Sequence, residues 1–182
     1  MSKCNPSKEA ITELKDFLKN LNLKAGCVDK FNTEQYDVVV SFATHGRRML
    51  SEEIYKFLES IVHQKCGLKY HIVANVWKRD YENIPWKLAE YFNENQIEVL
   101  VSDFNWKPNL KYIMSMQKYH DIPVITVDDD WVYRDDMVQL LYDDFRKHPR
   151  AIISGKCRKI QRDSRGKVIE FEKWPLVDNF NV

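Results

Sequence analysis

The chain reads as an α/β domain built on a mostly parallel central sheet with helices on both faces. Three observations predict this. Short β-branched runs, of which Asp37-Val-Val-Val-Ser-Phe42 is the clearest, alternate with segments of helical periodicity. That clearest run lacks the polar alternation of a half-exposed strand, as expected for a strand covered on both faces. An acidic triplet, Asp128-Asp129-Asp130, follows directly on the apolar run Val124-Ile-Thr-Val127, and open α/β sheets bind their ligands beyond the carboxyl ends of the strands.

Taken in order, Ser7 can cap a helix whose apolar positions Ile11, Leu14, Phe17 or Leu18, and Leu21 recur at helical spacing before Gly26. Residues 1–30 are therefore expected to form a helical extension, with a single domain over 31–182. Asp37–Phe42 is the first strand and Ala43-Thr-His-Gly-Arg-Arg48 a loop. Ser51 caps a helix bearing Ile54, Phe57, Leu58, Ile61 and Val62, and Gly67 precedes a second strand near Tyr70–Val76. A helix from Pro85 to Asn93, a strand at Ile97–Val101 and a helix from Leu110 to Tyr119 continue the alternation. Pro123 opens the strand Val124–Val127, where a missing N–H costs a sheet least. Arg134–Lys147 is expected to be a helix that Pro149 stops, followed by a strand at Ala151–Ser154. Cys157–Gln161 and Lys167–Phe171 flank the turn Asp163-Ser-Arg-Gly166, which predicts a C-terminal β-hairpin.

Composition narrows the function classes. With 182 residues and 44% hydrophobic content the chain can bury one substantial core. Lys and Arg number 28 against 27 Asp and Glu, so no global field draws in nucleic acid and any anion site is local. No apolar run has the length of a bilayer span or resembles a signal-peptide core, which predicts a cytosolic location. Cys4, Cys27, Cys66 and Cys157 are scattered without a C-x-x-C pair, and read as buried or incidental thiols rather than zinc ligands or a disulfide framework.

The acidic run is the best candidate site. In extended backbone Asp128 and Asp130 would face one way and Asp129 the other. Two carboxylates about 5 Å apart repel by about 3 kcal/mol at an effective dielectric near 20. A divalent cation such as Mg²⁺ or Mn²⁺ removes that cost, and such an ion takes few protein carboxylates and completes its shell with water and phosphate oxygens. The alternative is a solvated helix start, the reading preferred for Asp135, Asp136, Asp143 and Asp144. Arg48 and Lys111 supply a planar fork and a point charge suited to phosphate, or else surface salt bridges. His45 lacks a partner in sequence, and Trp131 is notable only because it follows the acids directly.

Three stretches carry a resemblance: Val39-Val-Ser-Phe-Ala-Thr-His-Gly-Arg-Arg-Met49, Asn109-Leu-Lys-Tyr-Ile-Met-Ser-Met-Gln-Lys-Tyr-His120 and Pro123-Val-Ile-Thr-Val-Asp-Asp-Asp-Trp-Val-Tyr133. Over roughly residues 36–160 the chain resembles a bacterial glycosyltransferase family related to the large family 2 group, found among surface-polysaccharide enzymes. The resemblance implies a GT-A (Rossmann-like) nucleotide-diphospho-sugar-binding fold and transfer of a sugar from a nucleoside-diphosphate sugar to a glycan or lipid-linked acceptor. It implies a divalent cation, Mn²⁺ or Mg²⁺, at Asp128 and Asp130. Thr44, Arg48, Lys111, Asp128 and Asp129 would contact the donor. Lys156 and Arg158 stand where the family tends to have Arg and His. The family also continues into a Gly-rich acceptor-side segment that usually supplies the catalytic base, so the chain is expected to be truncated on that side and no base is assigned. The basic residues of 156–167 form a candidate contact with an anionic membrane surface at the cytoplasmic face, or a solvated strand pair. Two other readings stay open: a non-catalytic nucleotide-sugar-binding or assembly module, and a phosphohydrolase of haloacid-dehalogenase type using Asp128 and Asp130 as nucleophile and acid.

Overall fold

The structure, a computed structural model, describes residues 36–177. The helix expected over 7–21 lies outside the described residues, as does the extension 1–30. Strand β1 (Val38–Thr44) runs into a single helical turn, α1 (Gly46–Met49), and then α2 (Glu53–Val62). Strand β2 (Tyr70–Trp77) is followed by the short α3 (Lys78–Tyr81) and by α4 (Trp86–Glu94). Strand β3 (Glu98–Ser102) leads through a 3₁₀ turn at Lys107–Asn109 into α5 (Leu110–Lys118), strand β4 (Val124–Asp128) and α6 (Met137–Lys147). Two short strands, β5 (Cys157–Arg158) and β6 (Leu176–Val177), pair antiparallel near the end.

The four main strands form one all-parallel sheet in the order β3-β2-β1-β4, as the alternation of strands and helices predicts. Period-two side chains divide β1 between the two faces. Val38, Val40 and Phe42 join Ile54, Phe57, Leu58 and Ile61 of α2, Leu88 and Phe92 of α4, and Met137 and Val138 of α6 in the larger core. Val39 faces the other way, with Val73, Tyr119 and Ile122. Helices thus cover both faces. Each of the fully buried Val, Leu, Ile and Phe side chains stabilises the fold by roughly 1.5–3 kcal/mol, and this explains why β1, buried almost throughout, is the strand most legible in sequence.

Inside the smaller core lies a polar knot. Ser41, Asn75 and Ser115 are completely buried. Asn75 Nδ2 donates to Ser41 Oγ at 2.8 Å and to the Phe42 carbonyl at 2.9 Å, and the Ser41 and Ser115 hydroxyls lie 2.7 Å apart. The Ser41 hydroxyl also donates to the backbone carbonyl of Lys111. Buried polar groups satisfied in this way cost little, whereas an orphaned one costs about 1–3 kcal/mol. The knot ties α5 to β1 and β2, and so fixes where Lys111 emerges.

Four expectations need correction. Ala151–Ser154 is not a strand but irregular chain, with Ile152 99% exposed; no neighbouring strand offers it a ladder, and local β-propensity alone does not hold one. The loop expected at Ala43–Arg48 divides instead between the end of β1 and the turn α1, and α6 begins at Met137 rather than Arg134. The C-terminal hairpin is present in reduced form. Gly166, at φ +77°, completes the Asp163–Gly166 turn, a conformation that glycine adopts without steric cost. The ladder is a single bridge between Arg162 and Val168, and Cys157–Arg158 pair with Leu176–Val177.

Candidate functional site

The strand order places the site. β1 connects onward to β2 on one side while β4 lies against its other side, so the point where strand order reverses falls between β1 and β4. Register puts Ala43 beside Asp128 and Phe42 beside Val127. The carboxyl ends of the two strands therefore deliver Thr44 and Asp128 to one edge of the sheet. From there α1 carries Arg48, the loop after β4 carries Asp129 and Asp130, and the start of α5 carries Lys111.

Pairing among these residues differs from the alternation read in the sequence. β4 ends at Asp128, so Asp129 and Asp130 lie in a turn and the two-residue period no longer governs them. Arg48 reaches both, with Nε 3.8 Å from Asp129 Oδ1 and Nη2 3.6 Å from Asp130 Oδ2, and it donates to Glu53 Oε2 at 3.1 Å. Asp128 instead accepts from Lys111 Nζ. The six ion-paired groups comprise four carboxylates and two cations, which leaves an excess of two formal negative charges at one point of the surface.

Asp129 is the most enclosed of the three acids, its side chain 14% exposed. Burial pushes its carboxyl above the ordinary carboxylate value, against the opposing influence of the Thr44 hydroxyl, Arg48 and His45; the neighbouring Asp130 adds to the rise. Thr44 Oγ1 and Asp129 Oδ2 are both buried without a partner in full hydrogen-bonding geometry. Thr44 thus lies close enough to favour the Asp129 carboxylate while leaving both atoms with unused capacity. Two adjacent buried oxygens with unused capacity can take a further hydrogen bond or a cation, because buried polar atoms normally find partners.

Two participants were not legible in the sequence. Glu53, from α2, joins the cluster only because α1 and α2 fold back over the strand end. Tyr133 closes the acidic loop: its hydroxyl accepts from the Asp128 N–H at 2.8 Å, and its own N–H donates to Ser60 Oγ at 3.1 Å. Its ring meets Phe57 edge-on, with centroids 6.2 Å apart. A tyrosine five residues past a strand has no periodic signature, and the only signal was its place at the end of the run Asp128–Tyr133.

The donor set suits a hard divalent ion in oxygen chemistry. Among the described residues, however, no group of three or more His, Cys, Asp or Glu side chains is gathered to hold a metal by itself. Such an ion would need oxygens from a ligand or from water. A cavity of about 230 Å³ adjoins the acids, lined by Glu53, Lys56, Phe57, Asp130, Trp131 and Val132. A slightly larger one, about 280 Å³ with Tyr36, Tyr70, His71 and Gln96 in its walls, lies at the start of β2, the opposite end of the sheet. No described helix is long and apolar enough to cross a membrane.

No protein-family model matches the chain, and no curated protein matches it in sequence. Among solved structures, S. aureus TarS 1–349 in complex with UDP is similar at 14% identity, over 62% of this chain and 33% of that one, with a TM-score of 0.47. A second structure of S. aureus TarS 1–349 is similar at 11% identity, over 68% of this chain and 41% of that one, also at 0.47. The chain therefore spans between about a third and two-fifths of the TarS chains it resembles, and a likeness of this size transfers neither a ligand nor a residue's role.

Proposed function

We propose that this chain binds a nucleoside-diphosphate sugar together with a divalent cation, Mn²⁺ or Mg²⁺, as the donor-binding part of a glycosyltransferase. The observation that carries the reading is the convergence of Asp128, Asp129, Asp130, Arg48, Lys111 and Thr44 at the reversal point of a parallel sheet, with negative charge in excess and two oxygens unpartnered. A diphosphate with its cation complements both features. The cation takes Asp128 and Asp130, and Arg48 and Lys111 exchange carboxylate partners for phosphate oxygens, which they bind as fork and point charge. When bound, the ion neutralises charge that gathers on a departing diphosphate. Asp129 and Thr44, enclosed beneath, face the nucleotide sugar. The sequence resemblance supports the remainder: a glycan or lipid-linked acceptor in bacterial surface-polysaccharide synthesis, approached at the cytoplasmic membrane face through the basic segment 156–167.

Thermal melts with UDP-, GDP-, dTDP- and CMP-sugars, each with and without Mn²⁺, test the reading. One of the three diphosphate sugars should raise Tm by about 5–10 °C at a concentration near one hundred times its Kd, and only with the cation present, whereas the CMP-sugar, a monophosphate, should not. Asp130→Ala should abolish that rise. No response to any nucleotide, or an undiminished response in the variant, overturns the proposal. Release of phosphate from a generic phosphomonoester would favour a phosphohydrolase instead.

A further inference from the structure

The loop that carries the acids leaves an aromatic side chain open beside them. Trp131 is 55% exposed and its neighbour Val132 67%, although large apolar side chains are usually enclosed. Lys156 Nζ stands 5.1 Å from the centroid of the Trp131 ring, a cation–π contact that restrains the indole without burying it. Trp131, Val132 and Asp130 form one side of the 230 Å³ cavity, and Glu53, Lys56 and Phe57 of α2 form the other. That volume lies below the range of about 300–1,000 Å³ typical of pockets for drug-sized ligands, and it accommodates a single sugar ring.

The lining chemistry selects the kind of ring. Indole and phenyl offer flat apolar contact, while Glu53 and Asp130 offer acceptors and Lys56 a donor. A pyranose matches this pattern: its C–H face packs on an aromatic ring, and each hydroxyl at its rim both donates and accepts. A nucleobase stacks on an indole as well, and the nucleoside titrations below separate the two. Glu53 also links the cavity to the acids, since its carboxylate receives the Arg48 guanidinium at 3.1 Å.

We propose that this cavity seats a neutral sugar ring stacked on Trp131, with hydroxyls held by Glu53, Asp130 and Lys56. Its role as the acceptor subsite rests on the nucleotide-sugar reading of the acids; its capacity to bind a sugar does not. The test uses the full chain labelled with 5-fluorotryptophan, whose five Trp signals are followed by ¹⁹F NMR, Trp131 being assigned with Trp131→Phe. Methyl glycosides of glucose, galactose, N-acetylglucosamine and rhamnose are titrated, and uridine, guanosine, cytidine and thymidine in parallel. At least one glycoside should shift the Trp131 signal saturably. By isothermal titration Trp131→Ala should weaken that glycoside about tenfold or more, with Trp131→Phe intermediate. The Phe variant should keep its melting temperature. Failure of every glycoside to move the signal, a response to nucleosides instead, or unweakened binding in a folded Trp131→Ala protein overturns the proposal. Glycoside binding without any nucleotide response would leave the sugar site standing and sink the donor reading alone.

Discussion

Arg48 answers three carboxylates at once, and the least exposed of them, Asp129, sits in surroundings that oppose its charge. A buried carboxylate with an unpartnered oxygen is a cost to the folded state that a bound ligand can offset. Asp129→Asn should therefore raise Tm of the ligand-free protein at pH 7 in the presence of chelator, and at the same time diminish the response to metal and nucleotide. Paired melts with and without ligand check both halves; a variant that melts lower than its parent without ligand would show that Arg48 more than compensates for the burial. At this scale the sequence singled out the three acids by their place after an apolar strand, while the family resemblance pointed to Thr44, Arg48 and Lys111, and the structure brings all six to one edge of the sheet. It did not reveal which acid pairs with which cation, because that depends on β4 stopping at Asp128. Nor did it reveal Glu53 and Tyr133, whose roles arise from contacts made across the folded chain.

Among the elements, α5 is the one whose placement matters most for the site, and it is held by hydroxyls rather than by apolar contact alone. Ser41 sits in a run that reads in sequence as an uninterrupted buried strand, and nothing local marks it as the partner of Asn75, Ser115 and the Lys111 carbonyl. Only the parallel register, which sets Ser41 beside Val73 and Thr126, brings these groups under α5. Ser41→Ala removes one hydroxyl from a closed network and leaves the others short of a partner, at a cost of about 1–3 kcal/mol. Ser115→Ala should cost a similar amount but leaves the Ser41–Lys111 contact in place. Urea denaturation should thus rank the two variants alike, while the metal-dependent nucleotide response should fall further in Ser41→Ala. Equal responses would mean that the network anchors the helix without setting the position of Lys111.

For the molecule as a whole, the four parallel strands were legible in outline because each is a short apolar run and each crossover a periodic helix, although their order was not. The chain after α6 was legible only at the Asp163–Gly166 turn, because its remaining pairing is long-range: Cys157–Arg158 find Leu176–Val177 rather than the segment nearest in sequence. The same dependence on register hides a second charged cluster, at the end of the sheet away from the acids. Glu98 accepts hydrogen bonds from His71, at 3.0 Å, and from Lys118 and Tyr119, while Tyr36 stacks on His71 with ring centroids 4.6 Å apart. Burial by itself would raise the Glu98 pKa, but the donors from His71, Lys118 and Tyr119 and the charge of Lys118 outweigh it and hold the group at about 2. Because the folded value lies below the unfolded one, near 4.5, the cluster's contribution is complete above about pH 4.5 and is lost as pH falls towards 2. After allowance for solvent screening that contribution is of order 2 kcal/mol. Glu98→Gln should accordingly be less stable than the parent at pH 7, where Lys118 is left without its carboxylate, and the gap should narrow steadily between pH 4.5 and 2.5 in urea melts. Curves that stay parallel across that window would show that Glu98 titrates alike in the folded and unfolded chains, and that β3 is held to α5 by packing alone.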